Sequence, residues 1–277
     1  MALIEDFIAG RAPPDLYQAY LTPLFETWSD ALIQACPPRG RALDVACGTG
    51  IVTRKIAAQP GVDSVVGIDI AAPMVEAAIA ATDPENPIKY LVASADQIDF
   101  PDGHFQSVFC QQGLQFFPDK IAALKEAERL LAPGANAAFA VWTSGSNGNP
   151  VFGAFEKIVA EELGADLVPF GPFSFGSKDQ IEEVVDNSGL RLIAAKKEER
   201  MARLPDPRTL VLFDLLFLGR PGADGTMHPL FDPSDSAKDE QIERIISQLS
   251  SATERYLQPD GDLFAPSSAH IIVLAKN

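Results

Sequence analysis

The sequence is poor in cysteine and in basic residues. Its three cysteines, Cys36, Cys47 and Cys110, lie far apart without the spacing of a metal site, and an odd number provides no disulfide framework. Lysine and arginine total 22 against 38 aspartates and glutamates, which gives a net charge of −16. Because phosphate groups repel such a chain on average, the composition argues against strong binding to nucleic acid or to an anionic membrane.

Long apolar runs are also missing. The longest one, residues 210–218, is interrupted by Asp214 and is far shorter than the ~20 residues that a membrane-spanning helix needs. Residues 1–10 contain two acids and no basic region, which is not typical of a signal peptide. We therefore expect a cytoplasmic protein without a membrane span. The 47% hydrophobic content of 277 residues is enough to bury one large core, or one core and a lid.

The segment LDVACGTG at residues 43–50 is the most informative part of the chain. It reads as a buried strand that runs into a glycine turn and opens a helix, which is a nucleotide-binding arrangement. Thr53 stands where the dinucleotide fingerprint has its third glycine, which weighs against NAD. The lysine of a phosphate-binding P-loop is also missing after Gly50. Asp44 in the strand favours a cationic ligand, and S-adenosylmethionine carries both a sulfonium and an ammonium.

A second acid ends the next predicted strand. Asp69 lies 19 residues beyond Gly50, close to the spacing of about 20 at which a carboxylate meets the ribose hydroxyls of a bound nucleotide. The sequence therefore predicts Asp69 as the ribose ligand.

Several segments together resemble the class I S-adenosylmethionine-dependent methyltransferases, and among them the group that methylates ubiquinone, menaquinone and other small molecules. They are DVACGTG at 44–50, GIDI at 67–70 with Pro73 and Met74, CQQGLQFFPD at 110–119 and LKEAERLLAPG at 124–134. The similarity runs from about Arg41 to Trp142 and is looser beyond. It implies transfer of a methyl group to a small, partly apolar acceptor by in-line displacement, with an oxygen, nitrogen or carbon acceptor atom. Such a reaction requires no protein nucleophile and no metal, and we assign no catalytic residue.

The pattern of helices and strands predicts the fold. Apolar strands alternate with helices, which indicates an α/β fold with a Rossmann-like, seven-stranded, mostly parallel sheet and helices on both faces. The expected elements include a helix at 17–36 and two late strands at 190–195 and 270–275. We expect residues 1–277 to form a single domain with an N-terminal helical cap at 1–38 and an S-adenosylmethionine-binding core at 41–142. Insertions at 143–177 and 200–268 are expected to form a lid and the acceptor pocket. The second insertion leaves room for a homodimer contact.

The resemblance also implies a set of site residues. The expected cofactor ligands are Asp44, Ala46, Gly48, Thr49, Gly50, Asp69, Ile70, Met74, Gln111 and Tyr17. For the adenine, the acidic position of many relatives falls on Ser94, so Ser94 and Ala95 are preferred and Asp96 is the alternative. The expected acceptor contacts are Gln112, Gln115, Phe116 and His228. Two other functions stay open: an NAD(P)-dependent Rossmann oxidoreductase, and a non-catalytic protein that binds S-adenosylmethionine.

Overall fold

The structure is a computed structural model that describes residues 2–163, 172–173, 175–217, 219–221, 227–229 and 232–276. Helices and strands alternate through the first half of the chain. The helices are α1 Leu3–Ile8, α2 Pro13–Ala35, α3 Ile51–Ala57, α4 Ala72–Ala80, α5 Lys120–Leu130, α6 Pro150–Leu163, α7 Lys178–Asp186, α8 Pro207–Phe217 and α9 Asp239–Thr253. The strands are β1 Gly40–Val45, β2 Val62–Asp69, β3 Ile88–Val92, β4 Phe105–Gln111, β5 Leu131–Trp142, β6 Arg191–Leu204, β7 Gly219–Pro221, β8 Met227–Pro229 and β9 Leu263–Ala275.

Seven of these strands form one sheet in the order β3-β2-β1-β4-β5-β9-β6. Strands β1 to β5 pair in parallel, and β9 pairs antiparallel with β5. This confirms the predicted seven-stranded, mostly parallel sheet. The strand order reverses between β1 and β4, and in open α/β sheets the crevice at the carboxyl ends beside such a reversal is where ligands bind. The short strands β7 and β8 pair separately.

The sheet forms because its strands are nearly continuous apolar runs, as strands covered on both faces require. Leu43 of β1, Ile68 of β2 and Val108 of β4 are all buried, and the helix residue Leu124 is buried in the same cluster. Two helices next to the sheet start at recognisable signals. Pro73 lies in the first turn of α4, where its missing N–H costs nothing. The Asp119 side chain accepts a hydrogen bond from the Ala122 N–H and caps α5.

The chain divides into two compact units. The first contains residues 1–24, 144–174 and 199–268, and the second contains 25–143, 175–198 and 269–277. The predicted cofactor-binding core, 41–142, lies entirely in the second unit. Parts of the two predicted insertions, at 164–171, 174, 218, 222–226 and 230–231, fall outside the described residues. Among the helices of the described ranges, none has the length and apolar character needed to cross a membrane.

Candidate functional site

The turn between β1 and α3 has an unusual backbone. Ala46, Gly48 and Gly50 all have positive φ, at 56°, 54° and 80°. A Cβ at Gly50 would lie 2.5 Å from the Tyr90 Oη and 2.7 Å from the Arg54 Nη1. Glycine is therefore required at position 50 by both the left-handed backbone and the lack of space.

Asp69 joins this turn to the end of β2. The Gly48 N–H donates to Asp69 Oδ2 over 2.9 Å, and the Ala71 N–H donates to Asp69 Oδ1 over 2.9 Å. A carboxylate has about four acceptor positions, so each oxygen keeps capacity for one more donor. The side chain is half-buried at the carboxyl edge of the sheet, where it is positioned to receive a ligand.

Asp44 lies beneath the same turn and is only 1% exposed. The Thr53 hydroxyl, in the first turn of α3, donates to Asp44 Oδ2 over 2.5 Å. Burial raises the pKa of Asp44 to about 7; the Thr53 hydrogen bond opposes the rise, and the negative charge of Asp69 adds to it. Two acids on neighbouring strands thus repel each other at the edge of the sheet, and a positively charged ligand would relieve this repulsion.

The segment after β3 contains the predicted adenine contacts. The Ser94 hydroxyl donates to Asp96 Oδ1, so the preferred residue and its alternative contact each other. The Ala93 N–H donates to the backbone carbonyl of Asp69, which holds this segment beside the end of β2. Ile70, directly after β2, has a side chain that is 75% exposed. The edge therefore offers an apolar surface next to hydrogen-bonding groups.

A third polar group follows β4. The Gln111 Nε2 donates to the Phe25 carbonyl over 3.0 Å, whereas its Oε1 is buried with no hydrogen-bond partner among the described residues. Gln112 and Gln115 are each 4% exposed, and within the same described ranges both polar atoms of each side-chain amide lack a partner. Buried polar atoms are nearly always hydrogen-bonded in proteins, so each exception requires an explanation such as a bound ligand or water. Phe116, beside them, is 58% exposed.

Backbone strain marks the same place. Ala46 and Gln112, both at φ 56°, are the non-glycine residues with positive φ in the described part of the chain. Each follows directly on one of the adjacent strands β1 and β4. Such conformations cost about 1–3 kcal/mol each and are concentrated at functional sites. The strain therefore lies at the strand reversal, beside the buried amides.

Most of the predicted site residues come together at the carboxyl edge of the second unit. They are Asp44, Ala46, Gly48, Thr49, Gly50, Asp69, Ile70, Met74, Ser94, Ala95, Asp96, Gln111, Gln112, Gln115 and Phe116. Tyr17 lies on α2 in the first unit. His228 belongs to β8 by its backbone, and its side chain is outside the described residues. The roles assigned to all of these residues remain predictions.

Two contributors to this site are not predicted from the sequence. Sequence spacing marks Thr53 only as the residue that replaces a glycine, whereas its hydroxyl donates to the Asp44 carboxylate. Tyr90 packs against both Gly50 and Gly67 and shares a hydrogen bond with the Thr82 hydroxyl. The role of Thr53 has a sequence signal: a threonine in the first turn of a helix that follows a strand containing an acidic residue. The packing of Tyr90 has no local signal in the sequence.

The buried thiols do not suit nucleophilic chemistry. Burial raises the pKa of Cys36 to about 11 and that of Cys110 to about 12, and it also raises the pKa of Cys47. A nucleophilic cysteine must be a thiolate, so these residues are inert at neutral pH. Within the described ranges, no three histidine, cysteine, aspartate or glutamate residues lie close enough to hold a metal ion.

Comparison with known proteins agrees with this geometry. The family described as "Methyltransferase domain" matches residues 43–139. A 2-methyl-6-phytyl-1,4-hydroquinone methyltransferase of Synechocystis sp. is 30% identical over 158 residues, which are 57% of this chain and 48% of the relative. A ubiquinone/menaquinone biosynthesis C-methyltransferase, UbiE, of Geotalea daltonii is 41% identical over 101 residues, which are 35% of this chain and 43% of the relative. The chain thus spans about half the length of the curated relatives it matches.

Solved structures show the same fold. A putative methyltransferase of Bacillus halodurans C-125 superimposes with a TM-score of 0.60 at 16% identity, covering 90% of this chain and 99% of the other. The YcgJ protein of Bacillus subtilis gives a TM-score of 0.58 at 17% identity, covering 90% and 97%. At this level of identity the likeness is one of fold.

Proposed function

We propose that this chain binds S-adenosylmethionine and transfers the methyl group to a small, partly apolar acceptor of the quinone type, because its residues 43–139 match the family described as "Methyltransferase domain". The observation that carries this proposal is the position of Asp69. Its two oxygens each accept one backbone N–H, one of them from Gly48 in the glycine turn. The remaining acceptor positions suit the two neighbouring hydroxyls of a ribose.

The adenine would lie beside the ribose, over the segment that follows β3. Ser94, Ala95 and Asp96 supply hydrogen-bonding groups at its edge, and Asp96 is accessible to accept from the exocyclic amine. The exposed Ile70 side chain and the half-buried Met74 supply apolar surface for the ring. Covering Ile70 with a flat ring would remove apolar area from water, which is favourable by about 25 cal/mol per Å².

The charged half of the cofactor would lie near the glycine turn and β4. The Asp44 side chain is too deeply buried to contact the cofactor through solvent. Its negative charge instead attracts the positive groups of the cofactor at short range. Thr53 supports the ionised form of Asp44 by donating to it, and the nearby Asp69 adds to the negative field. Ala46, Thr49 and Gln111 surround this position, and the Thr49 Oγ1 and Gln111 Oε1 are buried without partners. These oxygens suit the ammonium group as hydrogen-bond acceptors.

When bound, the cofactor would supply a sulfonium methyl group: the acceptor atom would form a bond to the methyl carbon in line with the carbon–sulfur bond, which breaks, and S-adenosylhomocysteine would be the leaving group. The protein's task is to hold the acceptor atom at attack distance and to exclude water, and such positioning is worth about 7–11 kcal/mol of the barrier. We assign the positioning to Gln112 and Gln115, whose neutral amides suit hydroxyl or carbonyl oxygens. Phe116 supplies apolar contact. The names of the two relatives describe a hydroquinone methyltransferase and a C-methyltransferase of ubiquinone and menaquinone biosynthesis. These names favour a quinone-type acceptor for this chain.

Three further assignments rest on the resemblance alone. We propose that Tyr17 lines the cofactor, that His228 contacts the acceptor, and that the insertions at 143–177 and 200–268 complete the acceptor pocket. The acceptor atom is an oxygen, a nitrogen or a carbon.

Calorimetric titration with S-adenosylmethionine, S-adenosylhomocysteine and NADH tests the cofactor. We expect micromolar binding of both sulfur compounds and none of NADH. Asp69→Ala removes the two proposed hydrogen bonds from the ribose hydroxyls to the charged carboxylate, each worth about 1.5–3 kcal/mol. The variant should therefore bind both sulfur compounds more weakly by about a hundredfold or more. Asp63→Asn, which changes an exposed acid of the same strand, is the matched control and should bind normally. Binding of NADH alone would replace the proposal with a dinucleotide enzyme.

Transfer of labelled methyl from S-adenosylmethionine to a short-chain prenylated benzohydroquinone tests the acceptor. We expect product with the native chain, and a lower kcat/KM with Gln112→Leu and Gln115→Leu. Because these residues are assigned to the acceptor, the Kd for S-adenosylmethionine should stay unchanged in both variants. Normal cofactor binding with no methylation of any hydroquinone or amine acceptor would instead support the non-catalytic alternative.

A further inference from the structure

The first unit contains a cavity of about 680 Å³. This volume lies in the range of about 300–1,000 Å³ that is usual for small-molecule sites. Its lining residues include Gly145, Pro150, Gly153, Glu156, Phe173 and Pro266, which all belong to the first unit. The cavity therefore lies within one compact unit.

One side of the cavity is built by a close backbone contact. A Cβ at Gly145 would lie 2.6 Å from the Gly153 Cα and 2.8 Å from Glu156 Oε2. A Cβ at Gly153 would lie 2.8 Å from the Gly145 carbonyl carbon and oxygen. Any side chain at either position would push α6 away from the loop before it. The two glycines thus hold the Glu156 carboxylate against this loop, at a defined place in the cavity wall.

Among the described residues, Glu156 has no partner for one of its oxygens. Its Oε1 atom is buried there without a hydrogen bond. Asp214 of α8 lies close enough for the charge of Glu156 to affect it. Burial raises the pKa of Glu156 to about 7, and burial together with the charge of Glu156 raises that of Asp214 to about 7. Two acids thus lie near one another, and no ion pair of either is found in the part of the chain that the structure describes.

Lys157, the one basic residue among the described residues that line the cavity, does not neutralise them. The Lys157 side chain is 75% exposed and its Nζ lies 3.8 Å from Glu161, on the solvent side of α6. The rest of the wall includes the apolar side chains of Phe173, Pro150 and Pro266. Phe173 is anchored against Phe152, with 4.9 Å between the ring centroids. The cavity therefore combines a flat apolar surface with one unsatisfied acidic group.

We propose that this cavity binds a small molecule that has a protonated amine attached to a flat apolar body. The ammonium donates to Glu156, and the body packs against Phe173, Pro150 and Pro266. The positive charge compensates a carboxylate that otherwise has to be buried without a partner. The lining residues lie in the two insertions that we assign to the acceptor pocket, but none of them belongs to the predicted cofactor site. The test requires no S-adenosylmethionine, so failure of this proposal is distinguishable from failure of the methyl-transfer proposal.

Calorimetric titration with three probes of equal shape tests the proposal: benzylamine, benzyl alcohol and benzoate. A hydrogen bond to a charged group is stronger than a neutral one by about 1–1.5 kcal/mol, so benzylamine should bind about tenfold more tightly than benzyl alcohol. Benzoate should not bind. Glu156→Gln keeps the shape and removes the charge, and it should make the amine and the alcohol bind equally.

Two further variants separate this explanation from others. Glu161→Gln changes the net charge by the same amount as Glu156→Gln, but it removes an exposed acid of the same helix. It should therefore keep the preference for the amine. Ala160→Leu fills part of the cavity without changing its charge, and it should weaken the amine and the alcohol by the same factor. The proposal is overturned if the native chain binds the amine and the alcohol equally, if folded Glu156→Gln keeps the preference, or if Ala160→Leu leaves benzylamine binding unchanged.

Discussion

Replacing Asp44 with asparagine should make the protein more stable at alkaline pH while weakening its cofactor binding. The Asp44 carboxyl is 1% exposed, and it accepts hydrogen bonds from Thr53, the stronger one from the hydroxyl and the other from the backbone. Burial raises its pKa from 3.8 to about 7 against the lowering effect of those bonds, so the folded protein holds a proton that the unfolded chain has lost. The free energy of unfolding therefore falls as the pH rises from about 4 to about 7.

The size of the effect follows from the shift. A rise of about three pKa units at about 1.36 kcal/mol per unit corresponds to about 4 kcal/mol of lost stability above pH 7. Asparagine cannot titrate, and its side-chain oxygen can still accept the Thr53 hydrogen bond. We therefore expect Asp44→Asn to exceed the native chain by up to about 4 kcal/mol at pH 8 and by little at pH 4. Glu156 and Asp214 also have raised pKa values, but they are present in both proteins and cancel in the difference.

Urea denaturation of both proteins at pH 4 and pH 8 measures this difference directly. The same variant should bind S-adenosylmethionine more weakly, because it lacks the negative charge assigned to hold the cation. Asp63→Asn, at an exposed position of β2, should change neither quantity. Equal stability of Asp44→Asn and the native chain at pH 8 would refute the reasoning, because it would mean that ionising the buried Asp44 carboxyl costs no free energy of folding.

Three other changes test the rest of the site. Gln115→Leu replaces a buried amide that lacks partners with an apolar side chain of similar size, so the free energy of unfolding should rise by about 1–3 kcal/mol in urea denaturation while kcat/KM for the acceptor falls. A decrease in stability would show that the amide is satisfied in the free protein. Gly50→Ala should weaken S-adenosylmethionine binding and lower the melting temperature, because the new Cβ meets the Tyr90 Oη and the backbone is left-handed; adding Tyr90→Phe should restore part of the stability. Ile70→Ser alters an exposed side chain, so stability should change by less than about 0.5 kcal/mol, and calorimetry should show weaker cofactor binding only if the adenine covers this position.

Local patterns predicted the cofactor half of the fold well. The apolar runs around Leu43, Val65 and Val108 are strands because both of their faces are covered, and each run is bounded by glycine, proline or acidic residues. Helix α2, observed at Pro13–Ala35 and predicted at 17–36, shows the same agreement. Sequence predicts these elements because their hydrophobic period and their boundary residues agree.

The last two strands were predicted too short for different reasons. Strand β9 begins at Leu263 rather than at His270, because small and polar residues such as Ser268 are buried there by contacts distant in sequence. The Asn149 side chain donates to the Ser268 carbonyl and accepts from its N–H. Strand β6 continues to Leu204 instead of ending at 195, although most of its residues are charged or exposed, because it lies at the edge of the sheet. Neither cause is visible in a local window of sequence.

The same limit applies to the site. Spacing predicted that Asp69 and the glycine turn would meet, and the Gly48 N–H donates to Asp69. The positive φ of Gln112 and the isolation of its amide depend on how the end of β4 packs against β1, which no spacing rule contains. The residues that the cofactor would contact can be predicted from sequence motifs at the ends of strands. The residues proposed to select the acceptor cannot, because their positions depend on tertiary packing.

The close packing of the two strained strand ends also restricts how homologues of this chain can vary in sequence. A Cβ at Gly113 would lie 2.6 Å from the Ala46 Cβ and 2.8 Å from the Cys110 Sγ, so the methyl group of Ala46 occupies the room that a side chain at 113 would need. The two positions therefore cannot enlarge independently: a homologue with a side chain at 113 should have glycine at 46 and a smaller residue at 110. In an alignment, positions 46, 110 and 113 should vary together, and single substitutions among them should be rarer than paired ones.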